Sequence, residues 1–525
     1  MWLLLLALAC DSADSGDSPV QDTDSGPSGG DSGETGDTSD SGDSADTADT
    51  ADSGDTGEPT PVIVDEPVDV VIVGAGVAGL AAAIEAFEAG ATVRVLEREA
   101  FAGGAANYAG GLMVFSGTPE QAAAGIVDSP ELLAADWPEI TGGNPADPWF
   151  LYFAEQNVLR VHDWLSAMGM SFTGPMADTP RGSADRIHVP KGGGPGLVAT
   201  LVAAAPADVI TFGATAQSLE VEDGRVAGVR WSDGTDDHYQ AADAVIIATG
   251  GFLHDLARVE ALFPELPVDQ LVYGSSPAAD GAGLDMLTGL GASTQNMQAI
   301  GFYAHATLSP EGEHQELVAG AFGVYPWVGV EGVRFVDEWD FRGFQVGRTR
   351  AMLPGGDVWL FADNALEGDD FFPPADESVI FGVDELVASG IVVKSDTLDG
   401  LAGDLGLDPA TVTAQMAAWN AGGDALEPPR ADDADDARGV VEPPFYAVPV
   451  VISVAKAFGG VDVDLQGRVL TEDGAVIPGV YAAGELTGML GGSIVGDYGF
   501  TGSLTAVALG GRVAGENAAA EALLR

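Results

Sequence analysis

The sequence predicts an α/β protein organised on one strand–turn–helix–strand unit, and three features of residues 68–97 carry that expectation. An apolar strand, Val68 to Val73, runs into the glycine turn Gly74-Ala75-Gly76-Val77-Ala78-Gly79. Leu80, Ile84 and Phe87 then recur at helical spacing. After Gly90 a second strand, Ala91 to Leu96, ends on Glu97. That acid lies about 20 residues past the central glycine, the separation of a carboxylate that hydrogen-bonds a ribose hydroxyl. Gly74 permits the tight turn, Gly76 admits the backbone to a pyrophosphate and Gly79 lets helix and strand pack closely. The helix N-terminus adds free N–H groups and a positive dipole end. The unit reads as a Rossmann-like dinucleotide site.

With 525 residues the chain is long enough for two folded units. Its 81 acids against 20 Lys and Arg give a formal charge of −61. Such a balance argues against nucleic acid and against anionic membrane surfaces as partners. The residues before Pro61 hold 15 acids and no Lys, Arg or His, so the rest still carries −46. A body that acidic suits high salt or an extracytoplasmic setting, and equally a plain solubilising surface.

Residues 1–10, MWLLLLALAC, form an apolar run that ends on the chain's one cysteine. Ten residues are too few for a membrane-spanning helix. The run resembles a bacterial lipoprotein signal with Cys10 as the lipidated residue and the small Ala9 before it. It departs from that pattern in having Ala7 and in having no basic residue ahead of the apolar stretch. The resemblance implies a location in the bacterial cell envelope, with membrane contact only through Cys10. A single cysteine excludes intrachain disulfides, a CxxCH haem site and cysteine-ligated iron–sulfur clusters within this chain. Residues 11–66 are read as a disordered tether. From Asp31 to Glu58 an acid recurs every third residue, too charged and too polar to form a core. The tract lacks calcium-loop spacing, and no metal site is expected.

Further blocks follow in order. Phe101-Ala102-Gly103-Gly104-Ala105-Ala106-Asn107-Tyr108-Ala109-Gly110-Gly111 is a run of small residues around Asn107 and Tyr108. NVLRVHDWLSAMGMSF (157–172) reads as helix and turn, and Gly192-Gly193-Gly194-Pro195-Gly196-Leu197 as a glycine loop before a helix. Residues 208–230 read as a strand pair with a hairpin at Asp223-Gly224. ADAVIIATGGF (242–252), SSPAADGAGLDMLTGLGA (275–292), PGVYAAGE (478–485) and Gly502-Ser503-Leu504 complete the set. Together these resemble the flavoprotein family of fumarate reductase, succinate dehydrogenase and 3-ketosteroid dehydrogenase, over nearly all of residues 68–525. The resemblance implies an FAD-binding domain at 67–299 and 458–525, with an inserted α+β substrate cap at 300–457. It assigns FAD contacts to Gly74, Gly76, Ala78, Gly79, Glu97, Arg98, Gly103, Gly104, Ala105, Ala106, Gly110 and Gly111. Further contacts fall on Ala216, Ala248, Thr249, Gly250, Asp280, Gly484, Glu485, Ser503 and Leu504. The histidine through which succinate dehydrogenases attach FAD aligns with Gly104, so non-covalent FAD is expected. The last helix, opened by Gly502-Ser503-Leu504, presents its N-terminal amides to the flavin in the family, where such donors stabilise a reduced ring.

Within the cap, Gly332 to Glu338 resembles the family's GxRFxNE segment and Thr397 to Asn420 its helical pair, and Pro443-Pro444-Phe445-Tyr446 is expected to return the chain to the flavin domain. The resemblance names four catalytic candidates. His305 matches a substrate histidine; Glu338 and Arg342 match a proton-feeding pair; Tyr498 lies near the tyrosine with which ketosteroid dehydrogenases polarise a ketone. Read plainly, Glu338 and Arg342, four residues apart, are first an ordinary surface ion pair. Tyr108 borders the flavin segment, and Trp149, Phe150, Tyr152 and Phe153 read as core before pocket.

Three family features are replaced. Phe361 to Glu367 lacks the proton-donor arginine, Asp497 to Ser503 lacks the clamp arginine, and the HxTxGG histidine is missing ahead of Gly459-Gly460. A dicarboxylate needs such cations. The expected activity is therefore FAD-dependent hydride transfer at a C=C or CH–CH bond activated by a carbonyl, on a small molecule other than fumarate or succinate. A ketosteroid-like dehydrogenase is the alternative, and a flavin-binding electron carrier or inactive surface lipoprotein the reading outside enzymes. Electrons must pass to or from a separate donor or acceptor.

Overall fold

The computed structural model describes residues 62–176, 182–264, 268, 271–273, 275–308, 314–316, 325–338, 357–367, 382–422, 426, 428, 438–492, 494–496 and 499–525. The expected signal and nearly all of the expected tether lie outside the described residues. Ile63 and Val64, at the tether's end, pair in parallel with His238 and Tyr239. Asp65 accepts the Trp231 indole N–H at 2.9 Å.

The α/β core follows the expected unit. β1 (Val68–Val73) and β2 (Val93–Glu97) flank α1 (Val77–Glu88). Next come β3 (Ile210–Phe212), β4 (Thr215–Glu222), β5 (Arg225–Ser232) and β6 (Asp237–Ile247). Val70 to Val73 and Val245 to Ile247 are buried, as expected of parallel strands covered on both faces, which read as unbroken apolar runs. The β4–β5 hairpin turns at Asp223 and Gly224, whose φ of 51° and 78° are the two positive values a type I′ turn requires. Leu80 and Ile84 are buried as their spacing predicts, but Phe87, in the last turn of α1, is 54% exposed.

The segment expected to form the cap begins with β7 (Ile300–Leu308) and continues through β8 (Trp327–Gly329), β9 (Val358–Ala362), β10 (Val393–Ser395), β11 (Phe445–Pro449) and β12 (Val451–Ala457). β8, β9, β11 and β10 form one sheet in that order; β12 pairs with β7 and with Val272–Tyr273 in another. The chain therefore does not leave this region at Pro443 to Tyr446. β11 is still hydrogen-bonded to β9 and β10, and only in the next strand, β12, does the chain also pair outside the segment, with Val272–Tyr273. The expected helical pair is present as Leu398–Asp404 and Pro409–Ala421. Thr397 caps the first by accepting the Gly400 N–H, and Asp408 caps the second by accepting that of Thr411.

β13 (Arg468–Leu470) and β14 (Val476–Ala482) complete the main sheet, in the order β13-β14-β6-β1-β2-β3. The closing helix, α2 (Leu504–Ala522), packs on α1 through glycine: a Cβ on Gly511 would collide with the backbone of Ala78, and one on Gly515 with that of Ala82. Both helices advance four residues together, so they run in the same direction. At 1.5 Å per residue, the N-terminus of α2 projects roughly 9 Å beyond that of α1. Two positive helix ends thus sit in echelon on one side of the sheet.

Candidate functional site

A cavity of about 670 Å³ opens at the C-terminal ends of β1, β2 and β6, where both helix N-termini point. At its centre is the α1 start. Gly76 caps the helix in extended backbone, no side chain caps the first turn, and that turn contains no acid. The amides of residues 77–79 are therefore available to an anion. The glycines divide by role. A Cβ on Gly76 would meet only the Gly103 carbonyl, 4.0 Å away, so this position keeps the cavity floor open. A Cβ on Gly79 would collide with the Gly74 carbonyl, and one on Gly111 would fall 2.6 Å from the Gly193 backbone. Gly79 and Gly111, both expected at the cofactor, do not line the cavity. They let the segments that form it pack.

At one end, Glu97 is 8% exposed and fixed by two amides. Its Oε2 accepts the Ala75 N–H at 2.7 Å and its Oε1 that of Glu99 at 2.9 Å. A carboxylate has about four acceptor sites, which leaves some for a ligand hydroxyl. Arg98 Nη1 donates to Asp280 at 2.6 Å and Nη2 to the Ala278 carbonyl at 2.5 Å, tying β2 to the 278–280 turn. Burial works against ionisation of Asp280, but the Arg98 and Ala282 hydrogen bonds outweigh it and hold the carboxyl below its usual range.

At the other end lie Ser503, the residue just before α2, together with Leu504, Glu485 and Lys456. Glu485 Oε1 accepts the Ala457 N–H at 2.9 Å. Lys456 Nζ is 3.5 Å from Ser503 Oγ and 5.7 Å from the centre of the Phe458 ring. Burial pushes Glu485 up to about 7, against the Ala457 hydrogen bond and the Lys456 charge; it pushes Lys456 down to about 8, against Glu485. Both keep surface on the cavity they line, so these values belong to a site open to solvent.

Of the residues assigned to the cofactor, all but Gly79 and Gly111 line this cavity. Lys456 is the residue that reading missed, along with Thr215, Ser275, Ser276 and Met286. Its one signal is scarcity: the chain has three lysines, and this one directly precedes Ala457-Phe458-Gly459-Gly460. Among the described residues no histidine or cysteine lines the cavity. Tyr108 lines it and is 61% exposed. Trp149, Phe150 and Phe153 are core, with the Phe150 ring 4.6 Å from that of Trp137.

The catalytic candidates are placed unevenly. His305 lies in β7, with its side chain outside the described part; Arg342 and Tyr498 lie outside the described residues altogether. Glu338 is fully buried, and its partner is Arg334: Nε lies 2.9 Å from each carboxylate oxygen and Nη2 2.7 Å from Oε2. It also accepts the Trp327 N–H at 2.9 Å. Glu338 is thus an interior group and not a surface one, paired with the arginine four residues earlier.

FAD fits the residues present. Free amides at an open glycine turn suit a pyrophosphate, an oriented acid suits a ribose, and a second helix N-terminus lies farther along the same cavity. Residues 69–496 match the family described as FAD binding domain. Over 472 residues, 86% of this chain and 77% of the other, the sequence is 32% identical to a fumarate reductase (cytochrome) of Shewanella frigidimarina. The fold resembles the open conformation of a flavocytochrome c3 fumarate reductase, with TM-score 0.69 and 26% identity over 87% of this chain and 79% of that one. It also resembles a 3-ketosteroid-delta4-(5alpha)-dehydrogenase from Rhodococcus jostii RHA1, with TM-score 0.68 and 26% identity over 88% and 99%.

Proposed function

The chain belongs to the FAD binding domain family and is an FAD-dependent oxidoreductase, and on that premise we propose that it reduces or forms a carbon–carbon double bond next to a carbonyl, in a substrate less charged than fumarate. Bound FAD supplies hydride transfer at N5. The protein's part is to bind and orient the cofactor, exclude water, and move a proton. Glu97 and the α1 amides hold the nucleotide and pyrophosphate; the region 300–457 acts as the cap. FAD is held non-covalently on this reading, because Gly104 stands where the attaching histidine of succinate dehydrogenases aligns.

One observation carries the substrate class. Phe361 to Leu366 and Gly499 to Ser503 offer no arginine. A dicarboxylate is best held by forked, bidentate donors, so likeness to a fumarate reductase is insufficient ground for fumarate. His305, Glu338, Arg342 and Tyr498 remain the proposed substrate and proton-handling groups. The likeness to a solved ketosteroid dehydrogenase over 99% of that chain favours a keto-steroid as the second reading.

We place the protein at the cell envelope through lipidation of Cys10, with a separate carrier for its electrons. The deciding experiment reduces the FAD-loaded chain anaerobically and follows flavin reoxidation with monocarboxylic enoates, keto-steroids and fumarate. Fastest turnover with an enoate or keto-steroid is expected; fastest turnover with fumarate overturns the substrate reading.

A further inference from the structure

The flavin half of the cavity can be located from the protein alone. Glu97, beside the α1 start, takes the ribose, so the nucleotide runs toward Arg98 and Asp280. The opposite end, toward which α2 projects roughly 9 Å past α1, remains for the ring. Lys456 stands at that end. It extends from β12 to the start of α2, 3.5 Å from Ser503 Oγ, and lines the same cavity. The first turn of α2 contains no acid and no side chain caps it. A cation and a bare helix N-terminus therefore converge on one end of an otherwise largely apolar chamber, where charge is weakly screened.

We infer that Lys456 is the counter-charge for the reduced flavin: with the α2 amides it stabilises the negative charge that two-electron reduction leaves on the ring, and so sets the potential at which the enzyme works. The balance is explicit. Oxidised FAD accepts a hydride, two electrons and one proton, at N5, either from a CH–CH substrate or from a two-electron donor. No second proton is taken up, so the reduced ring is a monoanion, and Lys456 faces it as an ammonium. Burial lowers the affinity of Lys456 for its proton to about 8 in the FAD-free cavity, and an anionic ring facing it raises that affinity, so the cation is the main form at neutral pH. Glu485 is an ionisable neighbour that interacts with it. The inference rests on FAD binding and not on which substrate is reduced, so failure of either leaves the other standing.

The test compares FAD-loaded wild type with Lys456→Met, Lys456→Gln and Lys456→Arg. One readout is the two-electron midpoint potential. The other is the dissociation constant for sulfite, which adds to N5 of oxidised flavin and leaves the same negative ring. Met and Gln are expected to weaken sulfite binding about tenfold and to lower the potential by about 30 mV, the tenfold equivalent for a two-electron couple. Arg is expected to restore most of both, and oxidised FAD should bind all four proteins alike. Unchanged potential and sulfite affinity in FAD-loaded Met and Gln variants overturn the assignment. Loss of oxidised FAD from both variants overturns it as well, because a counter-charge to the reduced ring is not needed to hold the oxidised one. A lysine that merely pairs with Glu485 would leave the sulfite constant unmoved.

Discussion

Arg334 and Glu338 form a buried ion pair with three contacts of 2.7–2.9 Å, and the same Glu338 carboxylate accepts the Trp327 N–H that starts β8. Arg334 also donates to the Pro428 carbonyl and lies over the Trp419 ring, so it joins the start of the 325–338 segment to the helical pair. Removing one partner strands the other charge in the interior, at about 3–5 kcal/mol. Arg334→Met should therefore lower the unfolding midpoint, read by tryptophan fluorescence in denaturant. Glu338→Gln separates structure from chemistry: if Glu338 also moves protons, turnover falls far more than stability does. Turnover that falls only in step with unfolding would reduce Glu338 to scaffolding.

The two ends of Glu97 predict its contribution to FAD affinity. Glu97→Ala leaves the Ala75 and Glu99 amides unpaired, worth about 1–3 kcal/mol, so FAD should bind roughly 5- to 150-fold more weakly. The Arg98–Asp280 pair is partly exposed, with side chains 30% and 45% accessible. Such pairs contribute about 0–1 kcal/mol, and Arg98→Ala should cost roughly fivefold at most. Fluorescence titration of FAD into the apoprotein ranks the two, and an equal or reversed order refutes this division.

The glycines of the turn separate cleanly by mutation. Gly79→Val drives a side chain into the Gly74 carbonyl, part of a backbone that cannot yield, and should abolish soluble protein. Gly76→Ala meets nothing closer than 4.0 Å, so the fold should persist while FAD is lost. Circular dichroism and the FAD-to-protein ratio after purification read the two effects apart. A Gly76→Ala protein that retains stoichiometric FAD would show that the pyrophosphate does not approach there.

These tests probe what the sequence makes legible and what it hides. The GAGVAG turn, Glu97 and the hairpin at Asp223-Gly224 are local: spacing and backbone preference determine them within a few residues. Partner choice is not local. Glu338 has an arginine four residues to either side, and spacing alone cannot say that Arg334 folds inward over Trp419 and pairs with it. Lys456 is hidden for the same reason. In VISVAKAFGG it reads as an ordinary polar residue of a strand, and only α2, starting 48 residues later in the chain, brings Ser503 beside it. The π-helical turn at Val158–His162 inside an otherwise regular helical stretch has no sequence signature either.

Glu485 and Lys456 should leave opposite signatures in the pH dependence of apoprotein stability. Glu485 is raised from 4.5 to about 7 by burial. Between those values the folded chain holds a proton that the unfolded chain has released, so stability from this group falls as pH rises through the window. Lys456 is lowered from 10.5 to about 8. From 8 to 10.5 the unfolded chain keeps the proton that the folded chain has lost, so stability from this group rises with pH. Together the two contributions are least favourable between pH 7 and 8. The many surface carboxylates titrate as well, so the measurement is a difference. The stability of wild type relative to Glu485→Gln should decline from pH 4.5 to 7, and relative to Lys456→Met it should climb from pH 8 to 10.5. Thermal unfolding of FAD-free protein at stepped pH reads both. Flat differences across these windows would mean that solvent in the open cavity already hydrates the pair, and that neither group is perturbed until the cofactor seals it.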